Sequence, residues 1–471
     1  MKSSPGVRDR WEVRGRAPRS LWRRLTPPQL FVGSFAGLVV LGTLGLELLP
    51  GLYTGEGLGW LEALFTATSA VCVTGLIVVD TATYFTRWGQ AFLLLLIQLG
   101  GLGIITFTTF IILALGRRLS LRHEALTLAE IGASEEIDHR RLAADILKFT
   151  FFFEAAGAVV LYFLWVPDLG WGAAAWHATF HSISAFCNAG FSTFSDSLMG
   201  FAGSAFTLLA ISALVIAGGL GFLVLEELNL RRLARARDRH GRLTLHARIV
   251  LATTAILLVG GWIVFTAFEW GGAFRDMGVV DRLTNGFFMS VTARTAGFNS
   301  IDYAAAGDDA NFMTIILMAI GGSPGSTAGG LKTTTFALIG LLAIARVRGH
   351  GIVSVWGRSI PAETIQRAVG LFVLGFVVLT LALFGFAHTE LAVDPGEGQP
   401  FLRHMFEAVS AFNTVGLSMG VTPGLSAPGR WLAIFLMFVG RVGPLVFAAA
   451  LARSARGGTP LRYSYEDVVI G

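Results

Sequence analysis

Four short apolar segments each end in a glycine that follows a phenylalanine by ten residues. Glycine allows backbone angles that aim successive carbonyl groups to one side, and it lets two backbones approach closely. Rings of carbonyl oxygens can replace the water that a cation sheds. The segments therefore predict a path for a dehydrated monovalent cation. Three residues of each segment are predicted to line it: Val73, Thr74, Gly75, Asn188, Ala189, Gly190, Thr295, Ala296, Gly297, Thr414, Val415 and Gly416.

The four segments recur at a nearly constant spacing. Successive glycines are 115, 107 and 119 residues apart. Repetition at a fixed period indicates one structural unit that is used several times. A single glycine of this kind is more simply explained as a packing site between membrane helices. Four glycines in register favour the carbonyl-lined path.

The composition is typical of a protein that is embedded in a bilayer. Of the 471 residues, 54% are hydrophobic and 14% are charged. A soluble protein of this length needs a more polar surface, and about 20 apolar residues suffice to cross the hydrocarbon core. Eight spans are predicted, near residues 29–49, 88–115, 142–166, 204–229, 246–268, 310–345, 365–387 and 429–452.

The distribution of basic residues predicts the orientation. Of the 36 Lys and Arg residues, 28 lie in the segments 1–24, 117–148, 231–248, 346–367 and 453–462. Basic clusters mark the cytoplasmic side of bacterial membrane proteins. We therefore expect a multi-pass protein of the cell (inner) membrane with both termini in the cytoplasm. The net charge of +5 does not indicate a nucleic-acid partner, because it is concentrated at this face.

The predicted fold consists of the helices that must hold the four glycine segments in place. Each unit is a membrane helix, a re-entrant pore helix with its glycine segment, and a second membrane helix (M1-P-M2). Non-helical backbone at membrane depth must be buried in protein or line a water-filled path. The prediction is an all-α integral membrane fold with four such repeats around a pseudo-fourfold pore. Its divisions are a cytoplasmic tail at 1–28, repeats at 29–116, 117–230, 231–345 and 346–452, and a cytoplasmic tail at 453–471.

A second glycine-rich stretch interrupts the sixth predicted span. Residues 321–330 contain five glycines together with Pro324, so a regular helix is not expected there. We expect an intramembrane loop, near 321–335, that lies under the glycine segments and obstructs ions. A simple packing kink is the alternative. The predicted gate residues are Gly322, Ser323, Gly325, Ser326, Thr327, Gly329, Gly330, Lys332 and Arg441.

Several ionisable residues fall at membrane depth, where each one is a functional hypothesis. Arg441 would either repel cations near the path or form a buried salt bridge, for which Glu154 is the obvious partner. We expect Arg294 to support the third glycine segment through carbonyl groups. His177 and His181 have metal-ligand spacing, but no third ligand is evident, so packing is favoured and no transition metal is predicted.

The glycine segments and the stretch 321–335 together resemble the Trk/Ktr/HKT superfamily of potassium transporters, and the chain looks most like a Ktr-type membrane subunit. The resemblance implies that the four glycines form a selectivity filter. It also implies a preference for potassium, because serine at the first position accompanies sodium-preferring plant members. The loop would be the gate, with an arginine below the filter at the position of Arg441.

The resemblance also implies partners. Ktr-type subunits form homodimers, to which residues 463–471 would contribute, on a separate cytoplasmic ring that binds adenine nucleotides. Sodium is implied as an activating or co-transported ion, with no organic cofactor in this chain. A proton- or sodium-coupled symporter of another monovalent cation is the alternative. A membrane-embedded enzyme is not expected, since clustered catalytic side chains are lacking.

Overall fold

The structure, a computed structural model, describes residues 27–119, 139–235, 243–390, 400–443 and 446. Most of the predicted tails at 1–28 and 453–471 therefore lie outside the described residues. The described part is mostly helical. Its strands are a short antiparallel pair, β1 (Ser354–Val355) and β2 (Arg358–Ser359).

The described residues form fifteen α-helices, which range from 4 to 33 residues in length. They are α1 (Pro27–Leu48), α2 (Trp60–Val71), α3 (Thr81–Tyr84), α4 (Arg87–Leu119), α5 (His139–Leu169), α6 (Trp171–Phe186), α7 (Ala205–Leu220), α8 (Phe222–Arg235), α9 (Leu245–Phe268), α10 (Val279–Thr292), α11 (Asp308–Met318), α12 (Thr333–Val347), α13 (Ala362–Thr389), α14 (Pro400–Phe412) and α15 (Ala427–Val442). Helix α2 packs against α1, α6 against α5, α10 against α9, and α14 against α13.

Four of these helices are long and apolar enough to cross a membrane, within the described part of the chain. They contain the stretches Pro28–Leu48, Ala144–Leu169, Leu245–Phe268 and Ala362–Thr389. Large apolar side chains such as Phe163, Ile256 and Phe384 remain exposed on them. Such side chains are stable in lipid, where an apolar surface carries no hydration cost.

The predicted span at 204–229 is not one straight helix. Helix α7 ends at Leu220, and α8 leaves it at an angle of 101°. The turn is at Gly221, whose φ of +87° is a conformation that other residues rarely adopt. The amide of Phe222 donates to the carbonyl of Gly325, at 3.0 Å, instead of to a carbonyl of α7. The two helices together are long and apolar enough for one broken span, and the bend, which was not predicted, depends on a hydrogen-bond partner that is distant in sequence.

The predicted interruption of the sixth span is confirmed. Helix α11 ends at Met318 and α12 begins at Thr333. The chain between them folds back on itself, since the amide of Gly321 donates to the carbonyl of Leu331 at 2.8 Å. We call residues 321–332 the glycine-rich loop. Ser323, Ser326 and Thr327 in this loop are all buried.

Candidate functional site

The glycine segments share one backbone geometry. Each follows the carboxyl end of a short helix, α2, α6, α10 or α14, and each has a left-handed residue two positions before a left-handed glycine. The φ angles of the first residues are +55° at Val73, +59° at Asn188, +68° at Thr295 and +50° at Thr414. Those of the glycines are +96° at Gly75, +71° at Gly190, +81° at Gly297 and +94° at Gly416.

The left-handed conformation is costly at the first position of each segment. A positive φ is uncommon in residues other than glycine, and it is a clear outlier for a β-branched residue such as Val73. Each such residue costs on the order of 1–3 kcal/mol and persists only where its surroundings impose it. Strained backbone of this kind clusters at functional sites. Four copies of the same strained turn therefore indicate that the glycine segments form a functional site.

The four glycines lie against one another in a closed cycle. A methyl group added at Gly75 would lie 3.1 Å from the Cα of Gly190, and one at Gly190 would lie 2.8 Å from the Cα of Gly297. The cycle continues from Gly297 to Gly416 at 3.2 Å and from Gly416 back to Gly75 at 3.1 Å. The structure therefore brings together residues that are widely separated in sequence. A side chain at any of the four positions would force the backbone to shift, because the nearest atoms belong to the backbone.

Hydroxyl groups hold the segments from the short helices. The amide of Gly75 donates to Ser69 Oγ at 3.1 Å, and the amide of Gly416 donates to Ser410 Oγ at 3.1 Å. Ser184 Oγ donates to the carbonyl of Phe191 at 2.8 Å, and Thr292 Oγ1 to that of Phe298 at 2.5 Å. Sequence reasoning missed these residues. The available signal was a serine six positions before the glycine in three of the four segments.

The glycine-rich loop contacts two of the four segments. Thr327 Oγ1 donates to Asn188 Oδ1 at 3.0 Å and to the carbonyl of Phe186 at 3.1 Å. Gly329 lies so close to Thr414 that an added methyl group would collide with Thr414 Oγ1. The predicted loop residues and parts of the predicted path are therefore in direct contact.

Internal hydrogen bonds give the loop a defined shape. Ser326 Oγ donates to the carbonyl of Ser323 at 2.6 Å. Thr333 Oγ1 donates to Ser323 Oγ at 3.1 Å, and its amide donates to the carbonyl of Gly322 at 3.0 Å. Gly325 and Gly330 take the positive φ values of +74° and +64°. The loop is thus a specific turn structure built from glycines and hydroxyl side chains.

Three basic side chains donate to carbonyl groups of the loop. Arg441, which is 2% exposed, bonds the carbonyl of Thr327. Lys332 Nζ donates to the carbonyl of Ala328 at 2.7 Å. Arg294 Nη2 reaches the carbonyl of Gly321 at 3.4 Å. Arg294 was expected to bond carbonyl groups of the third glycine segment. Its side chain instead extends from the end of α10 towards the glycine-rich loop and bonds a carbonyl there.

Glu154 does not pair with Arg441 in the described structure. Its Oε2 accepts from Gln98 Nε2 at 3.1 Å, and its Oε1 lies 3.8 Å from Cys187 Sγ. No ion pair between Glu154 and Arg441 occurs among the described residues. The salt-bridge alternative for Arg441 was therefore wrong. Glu154 lies behind the second glycine segment, next to the residue that precedes Asn188.

The two histidines of α6 are engaged in hydrogen bonds. His177 Nδ1 lies 2.6 Å from Thr193 Oγ1, and His181 Nε2 lies 2.9 Å from Ser192 Oγ. Both imidazole rings stack on Phe194. Within the described ranges, no group of three metal-ligating side chains is present. These contacts give the histidines a packing role.

Comparison with known proteins identifies relatives over nearly the whole chain. The family model "TrkH: Cation transport protein" matches residues 40–456. The chain is 37% identical to the potassium/sodium uptake protein NtpJ of Enterococcus hirae, over 95% of this chain and 98% of that protein. It is 38% identical to the Ktr system potassium uptake protein B of Vibrio alginolyticus, over 94% of this chain and 95% of that protein.

A solved structure shares the fold. The potassium transporter TrkH from Vibrio parahaemolyticus matches with a TM-score of 0.72 and 18% identity, over 92% of this chain and 87% of that chain. The family and its relatives are ion transporters and not enzymes, which confirms the prediction that this protein is not an enzyme. Together with the apolar helices, the family establishes a multi-pass membrane protein. The chain belongs to the TrkH family of cation transport proteins.

Proposed function

We propose that this protein takes up potassium ions through a selectivity filter formed by the four glycine segments. The observation that carries the proposal is the closed cycle of Gly75, Gly190, Gly297 and Gly416. Each glycine belongs to a helix, pore helix and helix unit, and the four units surround one pseudo-fourfold axis. Main-chain carbonyl oxygens of the segments take the place of the ion's hydration shell. The pore helices α2, α6, α10 and α14 direct their carboxyl ends at the ion, where the helix dipole favours positive charge.

The glycine-rich loop is the proposed gate. Its contacts with Asn188 and Thr414 put it against two filter segments, and the hydrogen bond from Arg441 holds it there. The buried guanidinium also raises the barrier for a cation through repulsion. An ion passes when the loop withdraws. In this proposal Gly322, Ser323, Gly325, Ser326, Thr327, Gly329, Gly330 and Lys332 shape the gate.

The names of the relatives add sodium and a partner subunit to the proposal. NtpJ is named as a potassium/sodium uptake protein, which supports a role for sodium as an activating or co-transported ion. The Ktr relatives are named as proteins of a Ktr system, which supports a separate regulatory subunit. We propose a homodimer in the cell membrane, with both termini at the cytoplasmic face beside a nucleotide-binding ring. The clustered basic residues support this orientation.

Uptake by cells tests the proposal directly. The protein is produced in a bacterium that lacks its own potassium transporters, and growth and potassium content are measured at low external potassium. Restored uptake is the expected result. Failure to accumulate potassium, with normal amounts of protein in the membrane, would refute the proposal.

A coupled symporter of another monovalent cation is the second candidate, because one relative is named for both potassium and sodium. Uptake of potassium and of other monovalent cations is measured at several sodium concentrations and pH values. Uptake of another monovalent cation in preference to potassium, driven by the sodium or proton gradient, would favour the symporter. Uptake that prefers potassium favours the gated pore, with sodium in its activating or co-transported role.

A further inference from the structure

The break between α7 and α8 is hydrogen-bonded to the glycine-rich loop. The amide of Ser323 donates to the carbonyl of Gly219 at 3.0 Å, and that of Thr327 donates to the carbonyl of Gly218 at 3.3 Å. In the opposite direction, the amide of Phe222 donates to the carbonyl of Gly325 at 3.0 Å. These bonds lie on both sides of Gly221. The loop therefore cannot move away without changing the joint between α7 and α8.

Close packing reinforces this connection. A methyl group added at Gly221 would lie 2.7 Å from the carbonyl oxygen of Pro324. One at Gly218 would lie 2.7 Å from Asn188 Oδ1 and 2.9 Å from Thr327 Oγ1. The joint, the loop and the second glycine segment thus meet at one point.

A carboxylate of α8 contacts the amino terminus of α9, beside the apolar packing of Val224 against Ala247 and Val250. Glu227 Oε1 accepts from the amide of Thr244 at 2.5 Å, and Glu227 Oε2 accepts from Thr244 Oγ1 at 2.8 Å. Thr244 is the N-cap of α9. A carboxylate at a helix amino terminus is favoured by the helix dipole and by the unpaired amides there. We call this contact the Glu227–Thr244 clasp.

We propose that Glu227 is a positioning residue for the glycine-rich loop. The clasp fixes the direction of α8, and the joint at Gly221 passes that direction to the loop through its backbone hydrogen bonds. The part of α8 between them is about 9 Å long at the usual helical rise. The inference rests on the proposed function, because it takes the glycine-rich loop to be the gate. Glu227 would act on the loop without touching it.

Loss of the clasp is the first test. Potassium uptake by Glu227→Ala is compared with wild type and with Glu363→Ala. Glu363 is a matched control, because its carboxylate also has a partner, Arg367, but that partner lies on the same helix α13. We expect uptake to rise on the order of fivefold in Glu227→Ala, because a lost charge-assisted contact shifts the loop towards its withdrawn position. Unchanged uptake in Glu227→Ala would overturn the proposal.

A loop deletion distinguishes positioning from a general structural role. Glu227→Ala is combined with deletion of residues 323–329. If Glu227 acts through the loop, the combined variant has the same uptake as the deletion alone. A further change of the same size in the deleted background would overturn the proposal. If wild type itself fails to take up potassium, the proposed function fails instead, and the two failures are thereby distinguished.

Two further pairs of variants, at Thr244 and at two glycines, complete the experiment. Thr244→Ser keeps the hydroxyl and should retain wild-type uptake. Thr244→Val loses the hydroxyl bond to Glu227 but keeps the amide bond, so it should raise uptake by less than Glu227→Ala does. Gly221→Ala should also raise uptake, while Gly170→Ala should not. Gly170 has a φ of +75° with no atom near an added methyl group, so it carries the same backbone penalty without contact to the loop. Wild-type uptake in Thr244→Val would contradict the clasp.

Discussion

The guanidinium of Arg441 donates a hydrogen bond to the carbonyl oxygen of Thr327, and it thereby joins helix α15 to the glycine-rich loop. Both residues are buried, with exposures of 2% and 1%. Thr327 in turn contacts Asn188 of the second glycine segment. This arrangement links a fixed positive charge, the proposed gate and the proposed filter through consecutive contacts.

Arg441→Ala should raise potassium uptake. The change removes both a charge near the path and the bond that holds Thr327. A hydrogen bond to a charged group contributes about 1.5–3 kcal/mol, and about 1.4 kcal/mol corresponds to a factor of ten, so a rise of about ten- to a hundredfold is expected. Initial uptake rates in whole cells provide the measurement, corrected for the amount of protein in the membrane. Arg441→Lys keeps the charge and should show a smaller rise. Reduced uptake in the alanine variant at equal protein amount would contradict the role as a gate contact.

Gly75→Ser should weaken the preference for potassium over sodium. The added Cβ would collide with the carbonyl oxygen of Ala189, and the φ of +96° is unfavourable for serine. The neighbouring carbonyl must turn away, which changes the oxygen cage. Competition between potassium and sodium during uptake measures the effect. Gly51→Ser is the control, because Gly51 has a φ of +79° and no neighbour near an added methyl group. Unaltered selectivity in Gly75→Ser would count strongly against the filter.

Removing the hydroxyl groups behind the proposed filter should loosen its backbone. Ser69→Ala and Ser410→Ala remove the hydroxyl acceptors of the amides of Gly75 and Gly416. The loss of a buried hydrogen bond costs about 1–3 kcal/mol. We expect a several-fold loss of selectivity in each variant and a larger loss in the double variant. Ser34→Ala serves as the control, since Ser34 Oγ donates to the carbonyl of Phe31 within its own helix, away from the glycine segments. Equal selectivity in all these variants would assign the serines to packing.

Glu154 and Arg441 should act independently. No ion pair joins them in the described structure, where Glu154 instead accepts from Gln98. Without a direct contact between them, their coupling should stay within about 0.5 kcal/mol. Uptake by Glu154→Gln, Arg441→Ala and the double variant should therefore fit a sum of the single effects. A coupling of about 2 kcal/mol or more would restore the salt-bridge interpretation.

The interruption between α11 and α12 was predictable from the sequence because it depends on local chemistry. Glycine and proline are concentrated in residues 321–330, and they disfavour a helix whatever their surroundings. The positions of the four glycines of the proposed filter were likewise predictable from their repeated spacing. Their mutual contact is what the structure adds.

Features that depend on distant partners were not predictable. The break at Gly221 occurs within an apolar run, and it forms because the carbonyl of Gly325 accepts the amide of Phe222. The partners of Glu154 and Arg294 were also misassigned. Opposite charge suggested Arg441 as the partner of Glu154, whereas the folded chain gives it Gln98. Closeness in sequence suggested the third glycine segment for Arg294, whereas it bonds the carbonyl of Gly321.

The cycle of glycines has a consequence for how this family can vary. An obstacle made of side-chain atoms can be removed by a second substitution nearby. The obstacles at Gly75, Gly297 and Gly416 are the carbonyl oxygens of Ala189, Val415 and Thr74, which every amino acid carries. No compensating replacement at those neighbours can make room. A larger residue at one of these positions must therefore reshape the ring itself, and in the proposed filter a reshaped ring would change the ion preference.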